Sequence, residues 1–378
     1  MSVMNTNQAP PVHGGDIHVT GGSIAVTRLY DVAYAIDLDR VEHDLTDAAI
    51  RLRLVRASPQ SVAFASPPVD IALGRTSLAL QSGAVDLSVR ARVYDFGAVR
   101  LSYELPVASM PWTRYADLVN EVEAALESGG PWQADRDRVR DLLAAALDRP
   151  SHSPLEEDYL FATVRGFDPP LAGEEVVARL DLVPLLTGGR RPISADARRD
   201  VLRHAYSYYT DDLVVISWAR ALIVEPAGEG EADVADILGV AHAQLLELRY
   251  YNERLDAELP RMYDRVEETR SRFGALARRR YARLARSLHS LLAEVTEVSE
   301  RIENALVVTD DVYLARVYEA ALDQHRVRDW SVAVDRKLGI IRDTYTALYD
   351  EATAARAEYL EITIVLLIAL EIILAFVL

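Results

Sequence analysis

Apolar and polar residues alternate along much of the first part of the chain, a pattern that predicts β-strands. Apolar side chains favour one parity from Ile24 to Ile36. The alternation returns at 85–93 and 99–105, on either side of the turn sequence Asp95-Phe96-Gly97. These two stretches therefore predict a β-hairpin.

Helix signals lie between the strand patterns. Asp39 and Glu42 have the spacing of a capping box, which predicts that a helix begins there. Pro111 precedes a helical pattern at 112–127, and Gly129 follows it. The chain should therefore turn from sheet to helix at least twice before residue 130.

Further strands are predicted at 159–164 and 213–224. The strands come in clusters, with helices between them and no regular β-α-β rhythm, so 17–226 is predicted to be an α+β domain. Residues 1–16 are polar and rich in Pro, Gly and Asn, and we expect a disordered tail there.

After this domain the pattern becomes helical. Seams of apolar residues spaced alternately by three and four run over 234–259, 277–305 and 338–362. Pro260 is predicted to break or kink the helix between the first two seams. The segment 231–357 is therefore predicted to be a helical bundle or a coiled-coil stalk, and its last seam continues without interruption into the residues that follow.

The seams admit two interpretations, packing within one chain or a coiled coil between subunits. Asn252 occupies a core position of the first seam, where a polar residue can fix register and strand number. The polar side chain of Asn252 therefore favours a subunit interface. The alternative is that Asn252 is exposed to solvent at a frayed helix end. Leu288 and Leu291 of the second seam are the expected contacts of a homo-oligomer.

The run from Ile362 to Leu378 is apolar except for Thr363 and one carboxylate, Glu371. Seventeen helical residues span about 25 Å, and a helix starting at Tyr359 spans about 30 Å, the thickness of a bilayer core. The sequence predicts a transmembrane helix at 358–378. The alternative is a hydrophobic helix buried in a bundle, but such a helix keeps a polar face.

The expected topology is a single pass through the cytoplasmic (inner) membrane, with the N-terminal domain in the cytoplasm. Residues 1–16 do not resemble a secretory signal. Basic residues precede the apolar run, which agrees with the positive-inside rule: Arg336, Lys337, Arg342 and Arg356.

Glu361 enters the apolar run and Glu371 lies inside it, so both are predicted membrane or oligomer contacts. An ionised carboxylate at mid-bilayer costs about 3 kcal/mol. No Lys, Arg or His follows Arg356, so we expect Glu371 to contact its counterpart in another chain. The alternative is contact with water at the far interface.

Composition excludes several classes of function. The chain has no cysteine, which rules out thiol catalysis and thiolate metal sites. Its net charge of −17 argues against a general nucleic-acid-binding surface. The eight histidines show no metal-ligand spacing, and no nucleophile-elbow, P-loop or dinucleotide-binding motif occurs. No catalytic, metal or cofactor site is predicted.

Three short segments carry charge that invites a functional interpretation. Gly188-Gly189-Arg190-Arg191 could cradle an anion, or form a loop before a helix near Ser194. Thr309-Asp310-Asp311 could supply carboxylates for acid–base chemistry, or cap a helix. A basic cluster could contact RNA or anionic lipid, or form a solvated helix face: Arg278, Arg279, Arg280, Arg283 and Arg286.

The last seventy residues resemble the "required for meiotic nuclear division" family, a YagE-like family built around a domain of unknown function. The resemblance rests on residues spread over that region: Asp311, Tyr313, Leu314, Tyr318, Trp330, Lys337, Leu338, Tyr345, Leu348, Arg356, Leu360, Glu361 and the apolar tail with Glu371. Phe96-Gly97-Ala98-Val99 resembles the family's hairpin. Asp310 stands where eukaryotic members have proline.

The resemblance implies a membrane-anchored α+β protein with a helical C-terminal region and no known catalytic residues. Mitochondrial members support organellar translation, for which tethering of ribosomes to the inner membrane is one explanation. The sequence thus predicts a non-enzymatic membrane-tethered scaffold that self-assembles or recruits a protein partner, with the ribosome as partner by family analogy alone. The alternative is a membrane-bound enzyme or ligand sensor with its site in the α+β domain.

Overall fold

The computed structural model describes residues 17–46, 49–51, 63–64, 66–151, 153–226, 231–270, 275–303, 306–307 and 312–377. The chain forms two compact units. Unit 1 comprises Met1–Glu247 with Arg301–Arg328, and unit 2 comprises Leu248–Glu300 with Asp329–Leu378. This division differs from the predicted boundary after residue 226, because the first part of the next helix packs with the sheet.

The described strands are, in chain order, β1 (His18–Asp31), β2 (Ala33–Ile36), β3 (Ala49–Arg51), β4 (Ala63–Phe64), β5 (Val69–Leu80), β6 (Gly83–Val93), β7 (Ala98–Val107), β8 (Met110–Pro111), β9 (Leu147–Pro150), β10 (Glu156–Asp168), β11 (His204–Tyr206), β12 (Leu213–Ile216), β13 (Arg220–Val224) and β14 (Leu306–Val307).

The described helices are α1 (Leu38–Asp44), α2 (Trp112–Gly129), α3 (Trp132–Leu143), α4 (Gly173–Arg179), α5 (Val183–Thr187), α6 (Ala195–Val201), α7 (Glu231–Arg270), α8 (Ala275–Glu303), α9 (Val312–Gln324) and α10 (Val327–Val377). The chain is therefore mixed α+β, with an N-terminal sheet domain and C-terminal helices, as the sequence predicted.

The main sheet of unit 1 has the strand order β11-β12-β13-β10-β1-β7-β6-β5-β3, and β8 also pairs with β1. Neighbouring strands are antiparallel except β10 and β13, which are parallel. The predicted hairpin is confirmed as β6 and β7. Gly97 in its turn has φ +101°, and a Cβ there would lie 1.8 Å from the Ala33 carbonyl oxygen, so the turn requires glycine.

One face of the sheet packs against α2. The Tyr115 hydroxyl lies within hydrogen-bond distance of the carbonyl oxygens of Ser23 (3.2 Å) and Thr163 (3.0 Å), on neighbouring strands. Burial of each large apolar side chain contributes about 1.5–3 kcal/mol. The buried apolar residues on this side include Ile24, Val26, Leu101, Tyr103, Val119, Val122, Leu160 and Ala162.

The first helix begins two residues earlier than predicted. Asp37 is its N-cap, and its side chain accepts a hydrogen bond from the Arg40 backbone N–H at 3.1 Å. The prediction that Asp39 caps a box with Glu42 is therefore wrong, because Asp39 lies in the first helical turn. Its carboxylate there is still favourable next to the helix N-terminus.

In unit 2, α7 continues through Pro260. Of the two predicted outcomes at that residue, the break is therefore wrong and the kink stays a prediction. Proline removes one intrahelical hydrogen bond, but packing can hold the helix together across the gap. Leu255 and Met262, on either side of Pro260, are both buried. Their burial anchors α7 before and after the proline.

Helices α7 and α10 run parallel in unit 2. The Arg249 guanidinium lies 5.9 Å from the centre of the Trp330 ring. Three residues further along α7, the Asn252 side-chain oxygen accepts a hydrogen bond from the Lys337 ammonium group at 2.6 Å. Residue numbers therefore increase in the same direction on both helices.

Helix α8 runs antiparallel to these two helices. Arg254 of α7 pairs with Glu294 of α8. The His289 ring of α8 lies 5.8 Å from the Tyr345 ring of α10, beyond the level of Lys337. The contacts thus describe a three-helix bundle within one chain.

The third seam and the residues after it belong to one helix, α10, which is 51 residues long. In the residues that the structure describes, no helix is both long enough and apolar enough to cross a membrane. Within 358–378, the side chains at 358–360, 362, 370 and 373–378 are not among those described. The transmembrane helix at 358–378 therefore stays a prediction.

Candidate functional site

The sheet face opposite α2 carries an unusual group of buried polar side chains in unit 1. They come from the central strands, from the first part of α7 and from the turn between α9 and α10. We call this group the buried polar layer, and its members are Asp31, Glu157, Tyr159, His242, Glu247 and His325.

Strand register places part of the layer on one face. Tyr159 pairs with Thr27 and Glu157 pairs with Leu29 across β10 and β1. Residues two apart in a strand share a face, so both side chains point to the side that α7 covers. The Tyr159 ring lies 5.0 Å from the His242 ring on α7.

His325 enters the layer from the α9–α10 turn, in which Arg326 has φ +52°. Its ring lies 5.1 Å from the His242 ring, 5.5 Å from the Tyr159 ring and 5.9 Å from the half-exposed Trp218 ring. The side chain is 0% exposed, and neither ring nitrogen has a hydrogen-bond partner among the described protein atoms. Such an unsatisfied buried group costs about 1–3 kcal/mol.

Burial lowers the pKa of His325 to about 4 because the imidazolium would lose its hydration without gaining a partner. The ring is therefore neutral at pH 7. His242 has a different environment, since its Nε2 atom lies 3.9 Å from a carboxylate oxygen of Glu157. One carboxylate is thus within reach of the histidine pair.

Glu247 lies at the end of the layer and is 2% exposed. Burial raises the pKa of its carboxyl group well above the usual value, and the negative charge of Asp31 raises it further. Asp31 itself accepts a hydrogen bond from the Ser151 hydroxyl at 2.8 Å. The layer thus combines a neutral imidazole with a carboxyl group that resists ionisation.

The layer offers groups that can take up or release a proton. In the ranges that the structure describes, no group of three or more His, Asp or Glu side chains is arranged to hold a metal ion. Sequence reasoning missed this layer. Its members come from distant segments, and the histidines occupy positions that follow no motif spacing, so the sequence carries no signal for their meeting.

The predicted bundle residues contact other helices of the same chain. Lys337 donates hydrogen bonds to the side-chain oxygen (2.6 Å) and backbone oxygen (3.2 Å) of Asn252 and pairs with Asp256 at 2.5 Å. Leu288 is 4% exposed and Leu291 is 8% exposed within a single chain. These contacts support the interpretation of the seams as packing within one chain.

Several of the described residues that carry the family resemblance make contacts within their own unit. In unit 1, the Tyr318 hydroxyl donates a hydrogen bond to the Gln244 side-chain oxygen at 2.9 Å, and the Tyr313 ring lies 5.5 Å from the Tyr208 ring. In unit 2, Trp330 lies beside Arg249. Asp311 lies outside the described residues, as does the side chain of Arg356.

The other charged segments have structural roles where they are described. Gly188 ends α5 with φ +74°, Arg190 pairs with Asp117, and Ser194 caps α6 by accepting from the Ala197 N–H at 3.2 Å. The loop before a helix is therefore the interpretation that the structure supports. The segment Thr309-Asp310-Asp311 lies outside the described residues.

The C-terminal part of α10 leaves large apolar side chains exposed. Glu361 and Glu371 are exposed on the same helix. The exposed apolar residues are Ile364, Val365, Leu366, Leu367, Ile368 and Ile372, with exposed fractions of 50–65%. Exposed apolar side chains in such a group are typical of surfaces that contact a membrane or another protein.

Comparisons with known proteins bear on the N-terminal part of the chain. The chain is 28% identical over 194 residues to the uncharacterized protein MJ0711 of Methanocaldococcus jannaschii, an alignment that covers 51% of this chain and 58% of that protein. No solved structure matches the chain. The resemblance of the last seventy residues to the "required for meiotic nuclear division" family stays a prediction.

A family model described as "Uncharacterized protein MJ0711, N-terminal domain" matches residues 21–231. The match covers more than half of the chain and contains most of the described strands of unit 1. The chain therefore belongs to the MJ0711 N-terminal domain family.

Proposed function

We propose that this protein is a non-enzymatic, membrane-tethered scaffold. In this proposal the C-terminal part of α10 inserts into the cytoplasmic membrane as a single pass, and the α+β domain recruits a protein partner in the cytoplasm. The observation that carries the proposal is the exposed apolar surface at 364–368 and Ile372.

Energetics favour insertion of the run 362–378. Thirteen of its seventeen residues are Leu, Ile, Val or Phe, and each contributes roughly −0.3 to −0.6 kcal/mol in a bilayer. Glu371 opposes them with about 3 kcal/mol if it is ionised at the centre. The balance favours insertion by a few kcal/mol.

Cell fractionation tests the proposal. The full-length chain should sediment with membranes, whereas a chain shortened to end at Ala357 should be soluble and monodisperse. A second variant replaces Ile364 and Leu367 by Ala. This change preserves the helix but removes apolar area, so the membrane-bound fraction should fall. Recovery of the full-length chain in the soluble fraction would refute the tether.

The partner is a second part of the proposal. Purification of the full-length protein in mild detergent, followed by mass spectrometry of bound proteins, identifies it. By family resemblance, ribosomal proteins are the expected class. Enrichment that depends on the α+β domain supports a scaffold, and a full-length protein that purifies with no stoichiometric partner argues against one.

A small-molecule sensor is a second candidate, favoured by His325. A fully buried imidazole with two unpartnered nitrogens next to His242 and Tyr159 can donate to one polar group of a guest and accept from another. Native mass spectrometry of the purified protein would detect a bound molecule. We expect such a molecule to be lost in His325→Phe, and its presence in that variant would refute the site.

A further inference from the structure

The turn between β11 and β12 in unit 1 carries exposed aromatic side chains. It lies at one edge of the main sheet, because β11 is the last strand in the sheet order. Tyr208 is 51% exposed and Tyr209 is 65% exposed. The Tyr313 ring in the first turn of α9 lies 5.5 Å from the Tyr208 ring, and the preceding residue, Val312, is also exposed. We call these four residues the tyrosine patch.

Hydrogen bonds hold the turn that presents Tyr208 and Tyr209. The Asp212 carboxylate accepts hydrogen bonds from the backbone N–H groups of Tyr208, at 2.8 Å, and of Tyr209. The Gly173 N–H donates to the Thr210 carbonyl oxygen at 2.9 Å, and a Cβ at Gly173 would clash with the Asp212 carbonyl oxygen. The Tyr208 and Tyr209 rings pack edge to face, 4.7 Å apart. Because the turn is held in place, binding through these rings loses little conformational entropy.

The charge of unit 1 decides which partner the patch suits. Unit 1 holds 26 of the 41 basic residues and 41 of the 58 acidic residues, so it carries −15 of the net charge of −17. A second copy of unit 1, a nucleic acid or an anionic membrane surface would bring more negative charge to this unit and would be repelled. A positively charged partner would be attracted.

The charge close to the patch has the same sign. Residues 203–212 and 312–323 include the whole patch and hold four carboxylates and two guanidinium groups, which leaves a charge of −2. The carboxylates are Asp211, Asp212, Glu319 and Asp323, and the guanidinium groups are Arg203 and Arg316. Asp211 is exposed in the same turn as the two tyrosines. A cation that contacts the rings would therefore meet a carboxylate beside them.

Exposed tyrosine rings favour one kind of cation. The face of an aromatic ring attracts a positive charge, and exposed groups of large apolar side chains are typical of surfaces that contact another molecule. A guanidinium group is planar and weakly hydrated, so it stacks on a ring more readily than the compact, strongly hydrated ammonium group of lysine. The patch should therefore prefer arginine to lysine, a preference that negative charge alone would not produce.

We propose that the tyrosine patch binds an arginine-rich segment of a protein partner. This inference rests on the proposed scaffold function and names the class of partner that the α+β domain recruits. Guanidinium groups of the partner stack on the rings of Tyr208 and Tyr209, and Asp211 attracts them by charge.

Peptide binding to the full-length protein in mild detergent tests the proposal. Two fluorescent peptides of equal length and charge are compared by anisotropy at physiological ionic strength. One alternates arginine with glycine, and the other alternates lysine with glycine. We expect the arginine peptide to bind several-fold more tightly than the lysine peptide. Equal binding of the two peptides would overturn the proposal.

Matched variants assign the preference to the rings. Replacing Tyr208 and Tyr209 together by Ala leaves the charge unchanged, yet it should weaken binding of the arginine peptide at least about tenfold and remove its advantage over the lysine peptide. Replacing both by Phe keeps the rings and should keep the preference. Tyr263→Ala is the control, because this ring is 53% exposed in unit 2 and should contribute nothing. Asp211→Asn should weaken both peptides equally.

The remaining outcomes distinguish this inference from the proposed function. Unchanged binding of the arginine peptide by the double alanine variant would overturn the tyrosine patch. Binding of a mixed-sequence RNA that is lost in that variant would assign the patch to RNA and would overturn it as well. A protein partner that purifies equally well with the wild type and with the double alanine variant would refute the patch and leave the scaffold standing. A full-length chain that is soluble but binds the arginine peptide through its tyrosines would refute the membrane tether alone.

Discussion

His325 should make the stability of the protein depend on pH in a specific direction. The folded protein holds the pKa of this imidazole at about 4, against 6.5 for an exposed histidine. Between pH 6.5 and about pH 4, the imidazole is therefore protonated in the unfolded chain but not in the folded protein. Stability contributed by neutral His325 is complete above about pH 6.5 and is lost progressively as the pH falls toward 4.

The size of this effect follows from the difference between the two pKa values. A difference of 2.5, from 6.5 to about 4, corresponds to about 3 kcal/mol at low pH because each pKa unit is worth about 1.36 kcal/mol. At pH 5, about 2 kcal/mol of it should already be lost. The side chain is fully buried, so solvent screening does not reduce the figure.

Chemical denaturation of the wild type and of His325→Phe at about pH 7.5 and pH 5 measures the effect. Phenylalanine keeps an aromatic ring among Tyr159, His242 and Trp218 but cannot take up a proton. The free energy of unfolding of the wild type should fall by about 2 kcal/mol more than that of the variant between the two pH values. His43→Gln, at an exposed position on α1, is the control. Equal pH dependence in wild type and His325→Phe would refute the assignment.

Three further predictions concern single charged side chains. Glu247→Gln should stabilise the protein at neutral and alkaline pH. The pKa of Glu247 is higher in the folded protein than in the unfolded chain, so the wild type loses stability as the pH rises, whereas glutamine does not ionise. An unchanged free energy of unfolding above neutral pH would contradict this prediction. Lys337→Met should lower the free energy of unfolding by about 2 kcal/mol, because the charged hydrogen bonds to Asn252 are lost. If the variant instead dissociates from an oligomer while the bundle keeps its stability, the contact belongs to a subunit interface. Glu371→Leu should insert into membranes at least as well as the wild type but self-associate less, whereas Glu371→Gln should keep the self-association. Cross-linking through a cysteine at 371, compared with a cysteine at 348, measures the association. Capture of dimers at 348 alone would assign Glu371 to water.

Local patterns determined much of the fold in a way that sequence reasoning could follow. The β6–β7 hairpin was predictable because alternation on both strands and the turn around Gly97 agree. Helix α2 was predictable because Pro111 precedes a helical pattern of apolar residues and Gly129 follows it. The continuity of α10 followed from a seam that leads into an apolar run with no helix-breaking residue between them.

Features that depend on long-range packing escaped prediction. Pro260 was expected to break or kink α7, and the helix does not break there, because the burial of Leu255 and Met262 outweighs the missing hydrogen bond. The parallel pairing of β10 with β13 has no local signature. His242 and His325 come together only because α7 and the α9–α10 turn pack on the same face of the sheet. The residues around either histidine in the sequence do not predict that contact.

Alkaline extraction of membranes from cells that produce the full-length chain tests the central claim, tethering by the C-terminal helix, most directly. An inserted helix resists extraction because its apolar side chains would have to enter water, whereas a protein held by charge or by a partner is released. The tether predicts that the full-length chain stays in the membrane pellet and that the chain ending at Ala357 does not. Release of the full-length chain into the alkaline supernatant would contradict it.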